Sequence, residues 1–245
     1  MNYTAPTDLL INKTLLVTGA GDGIGRQAAL TYAEHGATVI LLGKTVKKLE
    51  AVYDEIVNAG YPEPAIVPLD LKGATKKHYT DMANTIKDQF GCLDGVLHNA
   101  AALGVLSPLE HISENSWNEV IHTNVTAQFL MTQALIEVLK AAENASVIFT
   151  SSGVATGGHA FWGPYAVSKH ASQGLMMTIA DEYEKSSIRF NSINPGATKT
   201  PMRSKAYPGE DVNTLATPLD LMPTYLYLMG KDSVALSGQT LNAQG

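Results

Sequence analysis

The chain has 245 residues, 45% of them hydrophobic, a formal net charge of −6 and one cysteine. That is enough for one large core and a single domain over residues 1–245. Its 17 basic residues are scattered among 23 acidic ones, with Lys47-Lys48 and Lys76-Lys77 the longest basic runs, which excludes the cationic footprint of a nucleic-acid binder. Cys92 alone cannot close an internal disulfide, and no Cys/His cluster has zinc-ligand spacing, so no metal and a reducing, cytoplasmic setting are expected. Residues 1–13 lack the basic start and long apolar run of a signal peptide, and no membrane span is expected.

Short apolar runs alternate with longer amphipathic segments, the pattern of βαβ units. Leu15-Leu16-Val17 is the first predicted strand, and Thr18-Gly-Ala-Gly-Asp-Gly-Ile-Gly25 turns into a helix over residues 24–35. The second strand covers 38–42, and Thr45 stands as N-cap of a helix to Asn58 that Gly60 and Pro62 stop. A third strand over 65–69 carries Pro68, which removes a ladder donor, and a helix over 75–90 follows. The fourth strand is placed at 93–98, one extended helix at 113–142 and the fifth strand at 145–150. Pro164 opens a helix to about 185, and the sixth strand covers 188–193. A last helix over 217–229 and a seventh strand over 239–242 complete the chain. Seven strands joined by helices through right-handed crossovers predict an α/β fold of the Rossmann class. It is one doubly wound, seven-stranded parallel sheet with helices on both faces.

Gly19, Gly21, Gly23 and Gly25 crowd the first strand-to-helix turn, where backbone must come close to something, and the following helix aims its free amides there. A pyrophosphate fits such a place. Tyr165 and Lys169 are four residues apart, hence neighbours on one helix face. An ammonium beside a phenol favours the phenolate, so a Tyr165 pKa below its ordinary value of about 10 is expected. Taken alone, such a pair is more commonly an aromatic anchor beside a solvated charge. Asn124 falls on the stripe of Trp117, Ile121, Gln128, Met131 and Leu135, where a polar side chain needs a partner. Ser152 closes the fifth strand at the sheet edge where open α/β folds bind ligands. Gly153, Gly157, Gly158 and Gly163 then make a connection expected to line a substrate pocket with His159, Phe161 and Trp162.

Thr18-Gly-Ala-Gly-Asp-Gly-Ile-Gly25, Asn99-Ala-Ala101, Asn124, Ser152, Tyr165-x-x-x-Lys169 and Pro195-Gly196 occur in this order over nearly the whole chain. In this the sequence resembles the classical short-chain dehydrogenase/reductase family. It looks most like the bacterial YciK-like oxidoreductases, through Val39-Ile-Leu-Leu-Gly43, Leu93-Asp-Gly-Val-Leu-His-Asn99 and Phe149-Thr-Ser-Ser152. The resemblance implies Tyr165 as general acid/base, Ser152 as hydrogen-bond donor to the substrate oxygen, Lys169 on the nicotinamide ribose, and Asn124 holding a relay water. It further implies a cofactor shell of Gly19, Gly21, Asp22, Gly23, Ile24, Gly43, Lys44, Asp70, Leu71, Asn99, Ala100 and Ala101, with Tyr165 and Lys169. Asp70 would meet the adenine edge and Asn99 the adenosine ribose. Pro195, Gly196, Thr198 and Thr200 would grip the carboxamide and diphosphate. His98 departs from the pattern, since relatives often have asparagine there, and a change of packing more than of chemistry is expected.

NAD-specific sites carry an acid at the end of the second strand, whereas this chain has Gly43 followed by Lys44, which favours NADP(H). Asp22 stands where many NADP-dependent relatives have a base, so NAD(H) remains open. The implied reaction is hydride transfer between the nicotinamide and an aldehyde, ketone or matching alcohol. Residues 200–217 are read as a mobile substrate lid with little periodicity. A non-catalytic dinucleotide-binding sensor or scaffold, or an epimerase or dehydratase that recycles its cofactor, stand as alternatives. Ala166, Ala171, Ser172 and Gly174 on the Tyr165 helix would admit a second helix closely, so a homodimer or homotetramer is expected.

Overall fold

The apolar runs become strands, the central ones buried on both faces as parallel strands flanked by helices must be, the two edge strands only partly covered. In the computed structural model, which describes residues 3–244, these are β1 (Thr14–Thr18), β2 (Thr38–Gly43), β3 (Ala65–Pro68), β4 (Gly95–His98), β5 (Ala145–Thr150), β6 (Ile188–Asn194) and β7 (Thr240–Asn242). Among the described residues they form one parallel sheet in the order β3-β2-β1-β4-β5-β6-β7. Leu16 pairs with Ile40 on one side and Val96 on the other. Alternate side chains divide between two cores. Leu16, Ile40, Val147, Phe149 and Phe190 face α3 (Lys76–Phe90), α5 (Ala127–Lys140) and α6 (Gly163–Glu182). Leu15, Val17, Val39, Leu41 and Ile148 face α1 (Gly23–Glu34), α2 (Val46–Asn58) and α8 (Met222–Met229). The single doubly wound sheet matches the expected class, and the chain reverses its winding between β1 and β4, which opens a crevice beyond their carboxyl ends.

Pro68 stays in β3 opposite Gly43, as the sequence places it, because β3 is an edge strand, where a missing donor costs no ladder bond. Three other local expectations are refined. The extended helix over 113–142 is α4 (Glu114–Ile121) joined to α5 through a π-helical turn, His122–Thr126, in which the Ala127 amide bonds the His122 carbonyl. Residues 200–217, read as having little periodicity, contain short ordered turns. They hold α7 (Pro201–Ala206), capped by the Thr200 hydroxyl on the Arg203 amide at 3.2 Å, and a short turn over Val212–Thr214. The final helix begins with a tight turn, Leu219–Leu221, before α8. Thr45 occupies the N-cap of α2, yet its hydroxyl makes no capping bond.

On α6, Ser172 is buried within the chain, donating to Gln128 at 2.5 Å, while Ala171 is exposed. No described helix is long and apolar enough to cross a membrane.

Arg189 of β6 is buried without an acidic partner among the described residues. It donates to the carbonyls of Leu228 at 2.9 Å, Gly230 at 3.0 Å and Ser233 at 3.3 Å, and to the Ser233 hydroxyl at 2.7 Å. These carbonyls close the C-terminal end of α8, where the helix dipole favours a cation, although burial still pulls the guanidinium down to about 10. Arg189→Met orphans several buried carbonyls at once and is expected to cost about 3 kcal/mol in urea unfolding. A loss below about 0.5 kcal/mol would show that α8 needs no such cap.

Candidate active site

The crevice begins at β1. The Thr18 hydroxyl donates to the Leu97 carbonyl at 3.2 Å and accepts from the amides of Asn99 at 2.9 Å and Ala100 at 3.0 Å, tying the ends of β1 and β4 together. Gly19 then turns with φ +68°, a left-handed conformation that favours glycine. Gly25 packs so tightly that a Cβ there would stand 2.3 Å from the Gly19 carbonyl oxygen. The N-terminus of α1 thus faces an open space walled by Gly19, Gly21, Asp22, Gly23 and Ile24. Gly43, Lys44, Asp70, Leu71, Asn99, Ala100 and Ala101 continue the wall. Pro195, Gly196, Thr198 and Thr200 close it from the β6 side, and Ser152, Tyr165 and Lys169 lie at its floor. Tight turns, the N-terminus of α1 and a cation at Lys44 with no ion-pair partner among the described residues suit a dinucleotide phosphate backbone, so the residues present fit the cofactor the sequence implies.

Asn124 does not reach the crevice. It is fully buried, and its amide is engaged on both ends: Oδ1 accepts from the Ala102 amide at 2.7 Å, while Nδ2 donates to the Ala102 carbonyl and to Ser168 Oγ, both at 2.9 Å. Ser168 in turn donates to the Tyr165 carbonyl at 2.7 Å. The side chain therefore fastens the segment after β4 to the turn of α6 that carries Tyr165. The π turn is what swings it inward.

Tyr165 is 7% exposed, and here the electrostatics run against the sequence expectation. Burial pushes the phenol up to about 12, with the nearby Ser152 side chain pulling weakly the other way. Lys169 does not reverse this, because its Nζ lies 5.6 Å from the Tyr165 ring centre and donates to the Thr150 carbonyl at 2.6 Å. Burial lowers the ammonium itself to about 8. A phenol held protonated beside a cation poised near neutrality can give a proton to a developing alkoxide.

Lys48, Lys72 and Glu119 of the lining, and Gln244 behind it, escaped the sequence reading. Lys48 pairs with Asp22, whose carboxylate also accepts from the Gly23 amide at 2.8 Å and is held below the usual carboxylate range chiefly by Lys48. Lys72 reaches Glu119 at 2.8 Å across the mouth. Asp70 accepts from the Lys72 amide at 3.1 Å. Gln244 holds the 195–198 turn, donating to the carbonyls of Pro195 at 2.8 Å and Ala197 at 2.9 Å. No local signal marks the Lys48–Asp22, Lys72–Glu119 and Gln244 contacts, since each joins residues far apart in sequence. Of the aromatic residues expected at the pocket, Trp162 lines the crevice. His159 and Phe161 line a separate shallow groove with Gly157, Gly158 and Gly163. His98 stacks on Phe149 at 4.8 Å and bonds Thr132 at 2.9 Å, with burial driving it down to about 3, so it is a neutral packing residue.

A glycine turn at the β1–β4 switch point, with serine, tyrosine and lysine converging below it, defines a class of dinucleotide-dependent enzymes. The protein belongs to the short chain dehydrogenase family, which it matches over residues 13–211, and is an oxidoreductase of that family. Over 244 residues it is 46% identical to the uncharacterized oxidoreductase YciK of Escherichia coli (strain K12), covering 100% of this chain and 96% of that protein. A short chain dehydrogenase from Pseudomonas syringae superposes with a TM-score of 0.98 at 50% identity, covering 100% of this chain and 99% of the other. One from Escherichia coli CFT073, solved with NADPH, gives 0.96 at 46% identity over 98% of this chain and 100% of the other.

Proposed function

We propose that this protein reduces an aldehyde or ketone, or oxidises the matching alcohol, with NADP(H). The observation that carries the reading is the Tyr165 phenol, buried in the crevice lining together with Ser152 and with Lys169 close to its ring. Ser152 and Tyr165 bind the carbonyl oxygen, and Tyr165 hands it a proton as negative charge develops there. Lys169 stands by the ring, stabilising the phenolate left behind. Bound nicotinamide supplies or accepts the hydride. Asn124 positions Tyr165 through Ser168, and residues 200–217 cover the substrate end of the crevice.

The preference for the 2′-phosphate rests on the end of β2. Lys44 follows Gly43 with no carboxylate beside it, and the one acid of the glycine turn, Asp22, is engaged by Lys48. A cation a few ångströms from a phosphate is worth on the order of 1 kcal/mol or more, so NADPH should bind at least about fivefold tighter than NADH. Fluorescence titration at two salt concentrations measures this, with the gap narrowing at high salt. NADH binding as tightly as NADPH would remove the assignment. NADPH consumption over a panel of carbonyl compounds tests the reaction itself.

A further inference from the structure

The charges of the crevice sort along the sheet. Asp22, Lys44, Lys48, Asp70 and Lys72 stand at the β1, β2 and β3 end, with Glu119 bonded to Lys72. The Tyr165 end is different. Tyr165 packs with Leu103 and Val154, both under 10% exposed, and against them lie Leu106, Trp162, Met202 and Ala206. Trp162 links two other rings, Tyr165 at 5.6 Å and Tyr207 at 5.8 Å, so an aromatic wall runs outward from the phenol.

Two cations belong to this end, and neither is free. Lys169 is spent on the Thr150 carbonyl. Arg203 lies over the Tyr207 ring with its guanidinium carbon 3.8 Å from the centre, and it forks onto Glu210 through Nε at 2.6 Å and Nη2 at 2.5 Å. The Arg203 and Glu210 side chains are only 25% and 26% exposed, so the pair is not a loose surface contact. A planar bidentate pair of this kind uses the donor fork that a substrate carboxylate would need, and it cancels the charge that would attract one.

We propose that the pocket selects uncharged, largely hydrocarbon ketones and their secondary alcohols and rejects carboxylates, with Glu210 as the residue that enforces the rejection by neutralising Arg203. This rests on the hydride-transfer reading for its turnover but not for its binding. An apolar wall gains from each hydrocarbon group it covers, whereas a carboxylate would lose water there and find the guanidinium already occupied. Removing the Glu210 charge while keeping its shape leaves Arg203 in place with its cation uncompensated. Specificity then shifts toward anionic substrates through an electrostatic contact, with no new pocket.

The test uses one ring with and without a charge, 4-oxocyclohexanecarboxylate and its methyl ester. With NADPH, the wild type should favour the ester in kcat/KM by at least about tenfold, and Glu210→Gln should shrink that ratio by roughly tenfold, mainly through KM of the acid. Calorimetry on the Tyr165→Phe enzyme loaded with NADP+ reads the same preference without turnover: the ester binds and the acid does not. The acid binding as tightly as the ester, neither binding at millimolar concentration, or an unchanged ratio in Glu210→Gln would each overturn the proposal. Ester-selective binding without wild-type turnover would sustain the pocket assignment and defeat the hydride-transfer reading instead.

Discussion

Tyr165→Phe is expected to lower kcat by about 10³-fold while leaving the dissociation constant for NADPH within about twofold of wild type. The substitution deletes one oxygen. The ring keeps its packing against Leu103 and Val154 and its contact with Trp162. What disappears is the hydroxyl that faces the crevice beside Ser152. Because the phenol is 7% exposed, water has little access to replace it. Burial holds the free enzyme's phenol near 12, so in the reductive direction the proton is present across the whole neutral range. The decline with rising pH should instead begin near 8, where Lys169 loses its charge. Turnover within tenfold of wild type would mean that the proton comes from elsewhere. A parallel loss of NADPH binding would mean that the substitution damaged the crevice.

Lys169→Met is expected to have two opposite effects, a loss of turnover of 10² or more and a gain in stability of the cofactor-free protein. Lys169 is 2% exposed and bonded to one carbonyl, with no acidic partner among the described residues. Its pKa falls from the ordinary 10.5 to about 8, so at pH 7 the folded state carries a buried cation at a cost of roughly 3 kcal/mol. Methionine removes that cost and forfeits the bond to Thr150, which returns about 1 kcal/mol or more of the gain. The sign with pH follows from the lowered pKa. Below 8 the penalty is fully present. Between 8 and 10.5 the unfolded chain still holds its proton while the folded one has released it, so the wild type closes the gap on the variant. Urea unfolding at pH 7 and at pH 9.5 measures both halves. A methionine variant less stable than wild type at pH 7 would show that the buried ammonium is better compensated than its single bond indicates.

The parts legible in the sequence are those written in local spacing. The two-faced apolar strands, the glycine turn and the four-residue step from Tyr165 to Lys169 each follow from a period or a steric demand within a few neighbours. Gly19 and Gly25 could be read because a turn pressed against its own helix tolerates no Cβ. Ser152 could be placed because it ends a strand, and strand ends of such a sheet meet at the crevice.

Other features depended on which distant groups the fold brings together. The sequence marks Asn124 as polar on an apolar stripe, but its partners Ala102 and Ser168 lie 22 and 44 residues away, and the π turn that aims it has no spacing of its own. Gln244 supports the 195–198 turn across 49 residues, and Lys48 silences Asp22 across 26. The expected lowering of the Tyr165 pKa failed for the same reason. Helical spacing brings the ammonium to the ring but does not set how deeply both are buried, and desolvation outweighs a cation whose hydrogen bond goes to Thr150. By itself, then, the sequence determined the sheet, the glycine turn and the family to which the chain belongs, because those follow from short-range sterics, periodicity and ordered motifs. Only the tertiary structure decided the protonation and the supports of the site residues and the neutrality of the substrate end, because burial and ion pairing are properties of the packed chain.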